Sequence, residues 1–180
     1  MSRPYWSRTR PAWCRSRCSV ELMADIVDAA TRSRMMSGIR GKDTKPEFLV
    51  RRGLHARGFR FRLHGSKLPG RPDLVLPKYS AAVLVHGCFW HAHGCSLTKI
   101  PKTRPDFWRQ KLEGNQARDA RQLAELNDMG WRTLVIWECA LRGPQDMLSF
   151  TLESAASWLR SYEASTEIAR SDWTTTTAAL

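Results

Sequence analysis

The chain has no run of 18 apolar residues, so it offers no candidate transmembrane helix. No apolar segment follows the basic N-terminus, so no secretory signal is expected. No internal repeat is present, which excludes a solenoid or a propeller. Acidic residues are scarce: 17 Asp and Glu stand against 29 Lys and Arg, for a net charge of +12. Cysteines number five, an odd count that argues against a closed disulfide framework. With 180 residues there is enough chain for one domain with a real core, and not enough for two.

The charge that is present is unevenly placed. Residues 23–143 hold 22 basic and 11 acidic side chains, and residues 144–180 hold 2 and 5. A basic surplus on the compact part of a chain favours a polyanion partner. Eight tryptophans are many for this length, and stacking on bases is one use for them.

Residues 1–22, rich in Arg, Ser, Pro and Trp, show no apolar periodicity and are expected to be a disordered extension. Met23 would serve as a start, and Cys14 and Cys18 lie outside the expected domain, 23–163. A short basic helix is expected over 29–39. Thr44, Pro46 and Glu47 mark the start of a helix that runs to about 56. Strands follow at 59–64, 73–76 and 81–85, separated by turn chemistry at Leu68-Pro69-Gly70-Arg71-Pro72. A polar helix spans about 104–129, a buried strand 131–138 and a last helix 144–162. The tail from 164, with four consecutive threonines, is expected to fray. This is a mixed α/β order, αβββαβ. The first three strands form an antiparallel meander, and the long helix returns the fourth to the same sheet.

Chemistry concentrates in His86-Gly87-Cys88-Phe89-Trp90-His91-Ala92-His93-Gly94-Cys95. These ten residues hold three of the five histidines and two of the five cysteines. Thiolate and imidazole are the ligands of a tetrahedral structural zinc. His86, Cys88, His91, His93, Cys95 and Cys139 are six candidates for four positions, and spacing alone does not choose among the histidines. A spare imidazole could move a proton. Asp73, at the head of an apolar strand, is a candidate ligand for a hard cation such as Mg²⁺. An acid at that place in an αβββαβ order resembles the core of restriction-type nucleases. Most of that superfamily carry an acid and a lysine on the next strand. Ala82-Val83-Leu84-Val85-His86 has neither, so another group must activate water.

Gly70-Arg71-Pro72-Asp73, His86-Gly87-Cys88-Phe89-Trp90-His91, Phe107-Trp108 and Trp137-Glu138-Cys139-Ala140-Leu141-Arg142-Gly143 resemble the motifs of the very short patch mismatch repair DNA endonucleases, in one order from about 23 to 143. The resemblance implies a Mg²⁺-dependent enzyme that nicks one strand of double-stranded DNA, 5′ to the thymine of a T:G mismatch left by deamination of 5-methylcytosine. It implies that Asp73 holds the catalytic Mg²⁺, two ions in number, with the main-chain carbonyl of Val85. Threonine is the family residue at Val85, and a carbonyl ligand tolerates the exchange. His91 would be the general base, supported by His86 and Glu47. Cys88, His93, Cys95 and Cys139 would hold one structural Zn²⁺. Ala92 and Gly94 stand where family members can have histidine, which leaves His91 and His93 to divide base from ligand. Phe89, Trp90 and Trp108 would wedge into the base stack, with Met36 approaching from the minor groove. Lys111 and Asn115, at helical spacing from Trp108, are expected to read base edges or phosphates. Trp131 and Trp137 are expected in the core. The resemblance further implies a cytoplasmic bacterial monomer associated with a cytosine methyltransferase and general mismatch-repair factors. A restriction-like nuclease of other specificity and a non-catalytic, zinc-stabilised DNA-binding module are the competing readings.

Overall fold

The computed structural model describes residues 28, 30, 31, 34 and 41–177. The expected extension 1–22, with Cys14 and Cys18, and Met36 lie outside the described residues, as does most of the expected helix 29–39.

Helix α1 (Lys45–Ala56) begins where the sequence indicates. Thr44 accepts from the Glu47 amide, Glu47 reaches back to the Thr44 backbone, and a proline sits in the first turn. Strand β1 (Arg62–Leu63) is much shorter than the expected 59–64. Phe59 turns instead into the core, its ring 5.4 Å from that of Tyr79 and its amide bonded to Leu54 O. His64 then leaves extended geometry at φ +49, which ends the strand.

Strands β2 (Leu74–Leu76) and β3 (Ala81–His86) follow, joined by a 3-10 turn at Pro77–Tyr79. Helix α2 (Pro105–Asp128) carries the chain back to β4 (Arg132–Trp137). Helices α3 (Glu138–Leu141) and α4 (Gln145–Arg160), strand β5 (Thr166–Ile168) and helix α5 (Arg170–Thr177) complete the described chain. The sheet has the order β1-β2-β3-β4-β5. β1, β2 and β3 run antiparallel, and β4 and β5 add in parallel. The protein is therefore a mixed α/β fold, a five-stranded mixed sheet flanked by helices.

The tail from 164 does not fray as expected. Thr166–Ile168 pairs with the free edge of β4, and Ile168 and Ala169 are buried. The Trp158 indole donates to Ala164 O, and Ser165 Oγ accepts from the Thr133 amide. Three residues are too few for a periodic signal, and their order comes from an open ladder beside them.

Alternate residues of the strands face two cores. Leu74, Leu76, Ala81, Val83, Leu134 and Ile136 pack with Val50 and Leu54 of α1 and with Ala155, Ala156 and Leu159 of α4. Ala82, Leu84, Val135 and Trp137 face Leu123 and Leu126 of α2, and Cys88 and Cys139 close that second core. Among the described residues no helix is long and apolar enough to cross a membrane.

Candidate functional site

The ends of β2 and β3, the start of α1 and the middle of α2 enclose a cleft of about 820 Å³. Glu47, His64, Asp73, Val85, His86, Trp90, His91, Asp119 and Glu138 are among its lining. The sequence-derived candidates Asp73, His86, His91 and Glu47 therefore face one space.

Asp73 Oδ2 accepts from the Val85 amide at 2.7 Å. In an extended strand the N–H and C=O of one residue point to the same side, so the Val85 carbonyl faces Asp73 as well. Burial pushes the Asp73 carboxyl up to about 6; the Val85 amide pulls it down, Glu47 pushes it further up, and Arg51 and His64 draw it back. Glu47 has a different local task. It is 4% exposed, and its carboxylate accepts from the amides of Asp43 and Thr44, from Thr44 Oγ1 and from Arg51 Nη2. Those four bonds fill the lone pairs of a carboxylate. Glu47 thus contributes charge to the cleft and fixes Arg51, which also bonds Asp43 at 2.6 Å.

His91 Nδ1 lies 2.6 Å from Asp119 Oδ2. His86 stacks on His91, with ring centroids 3.8 Å apart and planes within 4°. Burial pushes His86 down to about 3, and the neighbouring His91 lowers it further while Asp119 opposes. His86 is thus neutral at any working pH. The unfolded imidazole takes a proton near 6.5, and the folded one refuses it until far lower pH. This contribution to stability is complete above pH 6.5 and declines as the pH falls towards 3. Asp73 acts in the opposite sense, since a raised carboxyl costs stability as the pH rises through 3.8 to about 6. Comparison with His86→Asn isolates the histidine. Between pH 7 and pH 5, urea unfolding should show the native chain losing about 2 kcal/mol relative to that variant. Parallel pH profiles would refute the buried neutral imidazole.

Cys88, His93, Cys95 and Cys139 form a second cluster, with one donor atom from each lying within 4.8 Å of the others. His93 Nδ1 is 3.6 Å from Cys139 Sγ. A tetrahedral zinc has ligand–ligand edges of roughly 3.5–3.8 Å, so the donor set fits. The amides of Cys139 and Leu97 donate to Cys88 Sγ and Cys95 Sγ at 3.3 and 3.4 Å. Cys139 is pulled down to about 4, first by the Cys88 thiol and then, against burial, by His93. His93 itself rises to about 9: burial opposes the proton, but Cys139 and Cys95 outweigh it. Contact with Cys139 and burial push the Cys88 thiol up, so before any ion arrives one thiolate, Cys139, faces the protonated His93. Trp137 lies in the second core as expected, and it does more than fill space. It stacks on His93 at 4.2 Å and presents its face or edge to His86 and His91 at 5.4 and 6.5 Å. One indole thus supports both clusters, with its own Nε1 bonded to Glu167 of β5.

Phe89, Trp90 and Trp108 meet in an aromatic group beside the cleft, with centroids 5.1 to 6.2 Å apart. Phe107, 45% exposed, extends it. Lys111 is exposed on α2 one turn beyond. Asn115 is engaged within the protein: Nδ2 donates to Trp90 O at 2.8 Å and Oδ1 accepts from Arg118. It holds the loop that carries the aromatics.

Three site residues escape sequence reasoning. Asp119 continues the α2 face of Trp108, Lys111 and Asn115 by one further turn, so the helical spacing could have found it. Arg51 could have been found four residues after Glu47. His64 reaches the cleft through a left-handed backbone at the β1–β2 turn, and no spacing rule signals that.

The family model described as DNA mismatch endonuclease Vsr matches residues 24–97. The DNA mismatch endonuclease Vsr of Escherichia coli strain K12 is 43% identical over 147 residues, which are 81% of this chain and 94% of that protein. The type II nicking enzyme V.XorIIP of Xanthomonas oryzae pv. oryzae is 48% identical over 119 residues, covering 66% of this chain and 88% of that enzyme. V.NmeAIP of Neisseria meningitidis, also a type II nicking enzyme, is 44% identical over 120 residues, 67% of this chain and 86% of its own length. Similarity of that degree over nearly the whole of a relative places this chain in the Vsr family of DNA mismatch endonucleases.

Proposed function

We propose that this protein is a Mg²⁺-dependent DNA mismatch endonuclease that nicks one strand of a duplex 5′ to the thymine of a T:G pair. One observation carries the reading: Asp73 and the His91–Asp119 pair line the same cleft. The core is that of a restriction-type nuclease in which imidazole stands in for the usual lysine.

Asp73 and the Val85 carbonyl would hold Mg²⁺. Bound there, Mg²⁺ supplies positive charge to the scissile phosphate and the departing 3′ oxygen and makes water more acidic. Asp119 accepts from His91 Nδ1–H, which fixes the tautomer and leaves Nε2 as the acceptor for the water's proton. As water's oxygen bonds to phosphorus, its proton goes to His91, the P–O3′ bond breaks, and the departing 3′ oxygen takes a proton from solvent. Neutral His86 packs against His91 and adds no charge of its own, so the new imidazolium is balanced by Asp119 beside it. Glu47 holds Arg51 and lends negative charge to Asp73's surroundings. Cys88, His93, Cys95 and Cys139 would hold one structural Zn²⁺, which fixes the loop that presents His91.

Phe89, Trp90 and Trp108 would enter the stack beside the mismatch. A wobble pair resists unstacking less than a matched one, so insertion selects by deformation cost. Exposed Lys111 would hold a flanking phosphate, and Met36 would approach from the minor groove. The protein acts in the bacterial cytoplasm as a monomer, in concert with mismatch-repair factors. The relatives named as type II nicking enzymes favour one second reading, a nickase with another sequence preference.

A nicking assay separates the two. T:G and matched duplexes are compared with and without Mg²⁺. Nicking of the T:G duplex alone, in Mg²⁺ alone, is expected. Equal cutting of both would favour the nickase of other specificity, and binding without cutting would favour a DNA-binding module.

A further inference from the structure

His64 faces the cleft beside Asp73, and the mechanism above makes no use of it. Its backbone amide bonds to Asp73 O across the β1–β2 turn at 3.3 Å. One nitrogen of its ring lies within 4.8 Å of a carboxylate oxygen of both Asp73 and Glu47. Glu47 is already saturated by hydrogen bonds, so Asp73 and His64 are the two members of this trio able to accept an outside ligand. Three carboxylates, Asp43, Glu47 and Asp73, meet one guanidinium, that of Arg51. Carboxylates outnumber the guanidinium in this group, which favours a divalent cation there.

We propose that His64 is a direct ligand of the cation anchored by Asp73, and that it shifts the preference of this site from Mg²⁺ towards first-row transition cations such as Mn²⁺. The inference rests on the reading of Asp73 as the cation's anchor. Mg²⁺ takes oxygen ligands and gives up water reluctantly, so an imidazole does little for it. Borderline cations bind imidazole nitrogen well. A carboxylate with an imidazole therefore discriminates where two carboxylates would not. His64 Nε2 now rests 3.2 Å from Asp43 Oδ1 and 3.5 Å from Arg51 Nη2, so a cation bound by this nitrogen would replace both contacts.

The test uses the full chain with its Cys/His cluster loaded with zinc and Mn²⁺ as the probe. Mn²⁺ binding and its displacement by Mg²⁺ are followed by electron paramagnetic resonance in the native chain, His64→Asn, His64→Gln and Asp73→Asn. Asparagine tolerates the left-handed backbone at φ +49, so His64→Asn should fold as the native chain does. The expected result is a fall of about tenfold or more in the Mn²⁺-to-Mg²⁺ affinity ratio for both His64 variants, the size of a lost contribution to a metal shell. Pulsed spectra should show imidazole nitrogen coupled to Mn²⁺ in the native chain and lose it in the variants. An unchanged ratio, or a nitrogen coupling that persists without His64, overturns the proposal. Mn²⁺ binding that survives Asp73→Asn would instead remove the anchor on which it depends.

Discussion

Asp73→Ala should lower Mg²⁺-dependent nicking of the T:G duplex by on the order of 10³-fold or more, with binding of that duplex retained. Removing one preorganised group that faces developing charge costs 10²–10³ in rate on its own. Asp73 is the acid opposite the Val85 backbone and lies in the same cleft as His91. On the proposed function binding rests elsewhere, on the aromatic group of Phe89, Trp90 and Trp108 and on the basic surface, so single-turnover nicking and gel retardation should part company. A companion measurement on Asp73→Asn sharpens the point. The carboxyl is held up near 6 by burial, so its ionised form destabilises the fold above that pH when no cation is bound. The neutral amide should raise the melting temperature of the cation-free protein at pH 7 while removing its activity. A variant that nicks normally would dismiss Asp73 from the chemistry, and a fall in melting temperature would show that its charge is already compensated.

Chelation of the proposed zinc, or Cys139→Ala, should cost on the order of 5 kcal/mol or more, since binding energy at a structural site is folding energy. For a chain of this size that is a fall in melting temperature of about 10–20 °C. The physical reason is the placement of the four donors. Cys88 follows β3, His93 and Cys95 lie in the loop beyond it, and Cys139 opens α3 after β4. The ion would tie two parallel strands together at their C-terminal ends, where Cys88 and Cys139 also fill the second core. Nicking should be lost with it, because His91 sits between Cys88 and His93. His91→Ala supplies the contrast: a rate loss of about 10²–10⁴-fold without that fall in melting temperature. Differential scanning calorimetry of the chelated protein decides the matter, and an unchanged transition would leave the cluster without a structural ion.

How far the site was legible follows from the kind of signal each residue leaves. Thr44 and Glu47 announce a helix start by local spacing, and the capping box is there. The same bonds saturate Glu47, which no motif could convey, because a motif names a residue and not the number of its lone pairs in use. Asn115 shares the α2 face with Trp108 and Lys111, yet its amide is turned inward to the Trp90 carbonyl. Asp119 sits on that face too, and its importance comes from the His91 imidazole 28 residues earlier. The tail from 164 looked frayed because polar threonines dominate it, and β4 had an unpaired edge that the composition of the tail could not reveal.

The sequence by itself determined the order of the main elements, the density of donors between His86 and Cys95, the basic balance and the family. These depend on short-range spacing and residue type, which survive in one dimension. Tertiary structure decided which groups converge: Asp119 on His91, His64 on Asp73, Trp137 beneath three histidines, and β5 on β4. Such pairings arise where strands and helices meet at their ends. They join residues distant in the chain through packing and loop closure, and neither leaves a periodic trace in the sequence.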